Sequence, residues 1–152
     1  MTEHRPRPWE CQYNNWSWTE RCAVTPIQNA LFRSGQLVRP TICTICGFSD
    51  PARLDGRGYI FAHLERYDRP TELYPACKRC HAALHARFRD PERWQHHLRR
   101  FSLPASWAFA LTLDPASQWQ PFEVTYPLGL PVPTQPPGLK PVQEALPFPE
   151  RG

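Results

Sequence analysis

Four cysteines form two CxxC pairs, Cys43/Cys46 and Cys77/Cys80, with 30 residues between the pairs. Thiolates bind zinc at about 2.3 Å, and a two-residue spacer lets one zinc-finger-like knuckle fill two corners of a tetrahedron. The spacing therefore predicts a structural Zn2+ held by Cys43, Cys46, Cys77 and Cys80. Two pairs of buried thiols are the plain alternative; a redox CxxC would call for βαβ surroundings, which the sequence does not suggest. Cys11 and Cys22, with ten residues between them, have no local partner at metal-ligand spacing. They read as buried free thiols, with a second metal site involving His4 as the alternative.

Histidines form the second chemical group. His81 directly follows Cys80, and His85 lies four residues on. On a helix that spacing puts both imidazoles on one face, where they can bind one divalent ion. A third, unliganded histidine opposite them can act as general base, drawing a proton from water as it attacks a phosphodiester, while a metal stabilises the developing charge. His63 lies between the knuckles, at the end of a β-prone run. The alternatives are ordinary ones: a satisfied structural histidine at 63 and a helix-surface residue at 85. His96 and His97 stand among Arg93, Arg99 and Arg100 and read as a solvated basic face, or else as a phosphate-contacting edge.

Several elements must position these groups. Thr25 and Pro26 make a good N-cap and first helical residue, and Ile27, Ala30 and Leu31 form an apolar stripe before Gly35. Residues 37–42 read as extended and lead into the first knuckle, where Gly47 permits the tight turn after Cys46. Residues 50–58 read as a loop with a turn at Asp55-Gly56, and 59–62 as a strand that ends on His63. Pro70 and Pro75 argue against a regular element before Cys77. A helix then begins at about Lys78, and a second follows Asp90-Pro91 with Trp94, Leu98 and Phe101 on one face. Alternation at Trp107, Phe109, Leu111 and Leu113 predicts one more extended segment against the core.

The strand-ending histidine followed by CKRCHAALH resembles the HNH endonucleases, the ββα-metal family, in their zinc-stapled form with paired CxxC motifs. The resemblance covers residues 43–88. It implies an α+β fold: a small zinc-stabilised ββα-metal core with flanking helices and an irregular proline-rich C-terminal tail. By position it makes His63 the base and His81 and His85 ligands of a catalytic Mg2+, Mn2+, Ni2+ or Zn2+. Two positions depart from the family. Ala62 stands where an Asp or His ligand is common, and Glu72 falls about where an Asn orients the base. Glu65 and Asp68 are the acidic groups available as a substitute ligand. Lys78, Arg79, Arg87 and Arg89 are the expected nucleic-acid contacts.

The resulting division is an irregular Trp-rich segment over 1–24, the zinc-bound domain over 25–103, an extended docking segment over 104–127 and a proline-rich tail over 128–152. All six cysteines and all six histidines precede Pro104, whereas 11 of the 19 prolines lie from Pro104 onward. Residues 1–103 carry 16 Lys/Arg against 10 Asp/Glu, and arginine supplies 16 of the 18 cations in the chain. That bias suits bidentate phosphate contacts, though GC-rich codon use produces the same ratio. No run approaches the roughly 20 apolar residues of a membrane span, and the N-terminus does not resemble a signal peptide, so a cytosolic protein is expected. The expected function is metal-dependent hydrolysis of phosphodiester bonds in DNA. The alternative is an inactive HNH-like zinc module that binds nucleic acid or a protein partner, and the proline-rich tail suggests docking in a partner's aromatic groove.

Overall fold

The computed structural model describes residues 6–49 and 59–133. The loop and turn expected at 50–58, His4 and the tail beyond 133 lie outside the described residues. The fold is α+β: helix α1 (Trp18–Ser34), a hairpin of β1 (Ile60–His63) and β2 (Tyr74–Cys77), then helices α2 (Lys78–Ala86), α3 (Pro91–Phe101) and the single turn α4 (Phe122–Thr125). Among the described residues no helix is long and apolar enough to cross a membrane.

The hairpin is antiparallel, with Ile60 opposite Cys77 and His63 opposite Tyr74. β2 is an element that the two prolines argued against. Pro75 fits because it lies on the edge of a two-stranded sheet, the place where a missing N–H breaks no ladder. Its carbonyl accepts from the Thr44 N–H at 2.8 Å and the Thr44 hydroxyl at 2.7 Å, tying the first knuckle to the hairpin. Cys77 ends β2 and at once becomes the N-cap of α2, so no slack separates strand from helix.

α1 begins at Trp18 instead of after Thr25. Ser17 and Glu20 form a capping box, in which the Ser17 hydroxyl accepts from the Glu20 N–H at 3.1 Å and the Glu20 carboxylate from the Ser17 N–H at 2.7 Å. Pro26 therefore sits inside the helix, where it removes the bond to the Cys22 carbonyl. Both residues are exposed, which leaves water to replace that bond. Residues 6–17, ahead of α1, also take a defined conformation. Tyr13 and Trp16 exchange two backbone hydrogen bonds around Asn14 (φ 49°) and Asn15 (φ 66°), the left-handed pair that a type I′ turn requires and that Asn tolerates.

α2, the hairpin and α3 enclose the core, with Ile45, Leu84, Trp94 and Leu98 buried among them. Asp90 caps α3 by accepting from the Arg93 N–H. Residues 104–127 do dock on this core, but as helical turns (Trp107–Ala110, Pro115–Trp119 and α4) in place of an extended segment. Trp107, Leu111 and Phe122 are the apolar anchors, and Ser106 and Asp114 cap the first two turns.

Candidate metal centres

Cys43, Cys46, Cys77 and Cys80 form a cluster able to hold a metal ion, with their sulfurs within 4.8 Å of one another. Sulfurs about 2.3 Å from one ion stand roughly 3.8 Å apart at tetrahedral angles, and Cys46 Sγ lies 3.7 Å from Cys77 Sγ. The first knuckle closes as expected: the Gly47 N–H donates to the Cys43 carbonyl at 2.8 Å, and Gly47 has φ 79°. Hydrogen bonds from Cys77 and Cys80 hold the Cys43 thiol far below its ordinary range. The same contact with Cys43 pushes Cys77 up to about 11 and raises Cys80 as well. Four sulfurs at this spacing suit a cation, which would replace the thiol protons.

One expectation about α3 is reversed here. His97 is not on a solvated face but buried, stacked on Trp94 at 5.9 Å, with its Nε2 3.3 Å from Cys80 Sγ. Its pKa is lowered, chiefly by burial. A neutral imidazole N–H can thus donate to a Cys80 thiolate, the outer-shell contact that fixes metal ligands in place. The signal was present: His97 lies three residues after Trp94 and one before Leu98, on the apolar side of the helix. Cys11 and Cys22, expected to be buried, are half-buried and exposed respectively.

The second group is His63, His81 and His85, each offering a ring nitrogen within 4.8 Å of the others. The helix start fixes this arrangement. Cys80 turns into the cysteine cluster, and His81, one residue on, faces β1, where its ring stacks on Phe61 at 4.4 Å with 13° between planes. Phe61 and His63 are two residues apart on a strand and share a face. His63 consequently stands edge-on to both helix histidines, at 5.1 and 5.3 Å between ring centroids. His81 Nε2 lies 3.1 Å from His85 Nε2. Nitrogens about 2.0–2.1 Å from one ion are roughly 3.0–3.4 Å apart, so the pair fits a shared divalent cation. Burial lowers both imidazoles well below the ordinary histidine value, which keeps them neutral.

Glu65 governs His63. It is fully buried, and its Oε1 lies 2.8 Å from His63 Nε2. The Tyr13 hydroxyl donates to the same oxygen at 2.5 Å, and the Asn14 amide donates to Oε2 at 2.9 Å. Arg87 in turn donates to the Tyr13 hydroxyl at 3.0 Å. Burial by itself would raise the Glu65 carboxyl; the bond to His63, the charge of Arg87 and the Tyr13 hydroxyl outweigh it and hold the pKa below its ordinary value. With both oxygens engaged, Glu65 is placed to orient a histidine, not to serve as the substitute metal ligand.

The remaining expected residues divide. Glu72 pairs with Arg69 at 3.0 Å and Asp68 with Arg66 at 2.9 Å, while Glu65 is the carboxylate on His63. Ala62 contributes no donor side chain, though its carbonyl lies at the limit of reach of the Gln28 amide, 3.5 Å. Lys78, Arg79 and Arg89 are exposed. Arg87 is fully buried, bonded to the Thr112 carbonyl as well as Tyr13, and cannot be a nucleic-acid contact. Tyr13 and Asn14, absent from the sequence reading, reach the site because the Asn14-Asn15 turn projects them inward. No family model, curated protein or solved structure matches this chain.

Proposed function

We propose that this chain is an HNH-like, metal-dependent phosphodiesterase acting on nucleic acid, stapled by zinc at Cys43, Cys46, Cys77 and Cys80. The observation that carries the reading is the convergence of three histidines beside the hairpin, one of them held by a buried carboxylate. His81 and His85 would hold the catalytic ion, which when bound supplies positive charge for a phosphoryl oxygen and the leaving oxygen. His63 takes a proton from the attacking water as its oxygen bonds to phosphorus; the P–O bond to the leaving oxygen breaks, and that oxygen takes a proton from solvent water. Glu65 keeps the His63 ring oriented through its contact with Nε2. Exposed Lys78, Arg79 and Arg89 provide sequence-independent phosphate contacts.

Purified protein is expected to nick supercoiled plasmid DNA when Mg2+, Mn2+ or Ni2+ is added, and His63→Ala to lower the rate at least a hundredfold with the circular dichroism spectrum unchanged. Equal activity in that variant overturns the assignment of the base. A second reading rests on Ala62, which leaves the ion without the ligand often supplied at that position: a zinc module that binds nucleic acid and does not cut. Salt-dependent binding with no nicking under any of these metals favours it.

A further inference from the structure

A cleft of about 530 Å³ opens on the His81–His85 pair. Its walls include Trp9, Trp18, Phe61 and Tyr67; Lys78, which is exposed, supplies positive charge at the surface, and the buried Arg21 lies behind the aromatic wall. Trp18 is 41% exposed although its residue type favours burial. The Arg21 guanidinium lies over the Trp18 ring at 5.2 Å and donates to the Trp9 and Cys11 carbonyls, which holds the aromatic wall in place, while its buried Nε has no hydrogen-bond partner. The cleft is within the range of small-molecule pockets, roughly 300–1,000 Å³, a volume that suits a single base and not a duplex.

We infer that the cleft receives an unpaired nucleobase, so that single-stranded nucleic acid is the preferred substrate; this rests on the phosphodiesterase reading. An aromatic wall beside cationic side chains is the pattern that binds single strands, where each base offers a free π-face and the backbone follows the positive charge. In a duplex both faces of a base are already covered by its neighbours, and a base must be extruded before it can enter. Because His81 lines the cleft and stacks on Phe61, a base on that wall brings its own phosphate towards the two helix histidines.

The test is fluorescence anisotropy with labelled twelve-nucleotide probes and the zinc-loaded wild-type chain, in buffer without other divalent ions and with probe integrity checked on a gel. Single strands of DNA or RNA are expected to bind at least tenfold more tightly than the duplex of the same sequence; which sugar binds better identifies the source of the base. Trp18→Ala and Trp9→Ala should each weaken single-strand binding about fivefold or more, and strands with abasic positions should lose as much. Trp119→Ala, which alters an exposed tryptophan outside the cleft, should change nothing. Equal affinity for duplex and single strand, no binding of either, or abasic strands that bind like intact ones overturns the inference. Cleavage is scored separately. Base-dependent binding without nicking keeps the cleft and removes the phosphodiesterase, whereas base-independent nicking does the reverse.

Discussion

Glu65 illustrates how much of a site depends on what a single side chain touches. Its two oxygens accept from Tyr13 and Asn14 and meet His63, and every one of these groups is buried. Glu65→Gln keeps the shape but places an NH2 group opposite either the Asn14 amide or the pair formed by Tyr13 and His63. One buried donor then has no acceptor, at a cost of about 1–3 kcal/mol in stability. If Glu65 positions the base, kcat for nicking falls tenfold or more while KM stays within about twofold, because substrate binding does not involve this carboxylate. Chemical denaturation and steady-state kinetics check the two effects. A stability loss with unchanged kcat would make Glu65 purely structural.

At the scale of elements, the first knuckle depends on backbone conformation as much as on sulfur. Gly47 has φ 79°, and a Cβ there would approach Leu103 Cδ2 at 3.3 Å. Gly47→Ala is expected to cost about 1–2 kcal/mol, the usual penalty for a left-handed alanine, and to weaken retention of a metal at the cysteines against a chelator. Metal release at the wild-type rate would show that the turn is not what closes the site. The knuckles, the strand that ends on His63, α2 and α3 were legible in the sequence because each has a local signal: spacing, β-propensity, a cap or an apolar period. β2 was not, since Pro75 reads as a strand breaker until the strand is known to be an edge. The start of α1 was obscured for the opposite reason. Thr25-Pro26 imitates a helix start, and the Ser17–Glu20 capping box outweighs it.

Over the whole molecule, the site is assembled from segments far apart in sequence, and this is the part that local signals could not convey. The link from Tyr13 to Glu65 spans 52 residues, and that from Arg87 to Tyr13 spans 74. The C-terminal segment also takes part: Trp107 packs on Tyr74 at 4.8 Å, lies 6.4 Å from the His63 ring and donates its indole N–H to the Thr44 hydroxyl at 2.8 Å. Trp107→Ala is therefore expected to destabilise the entire fold by about 3–5 kcal/mol, read as a shift in the denaturant midpoint. A change below 1 kcal/mol would mean that residues beyond α3 merely cover the surface.

In the proposed function one short stretch of chain supports two metal centres, zinc at the cysteine knuckles and a second ion at the helix histidines. The most direct test of this is anomalous diffraction from crystals grown with zinc and soaked in Mn2+, with data collected on both sides of the zinc edge. Two peaks are predicted: a zinc signal among Cys43, Cys46, Cys77 and Cys80, and a distinct ion within about 2.0–2.3 Å of ring nitrogens of His81 and His85. A single peak at the cysteines, with the two imidazoles still hydrogen-bonded to each other at saturating metal, would contradict it.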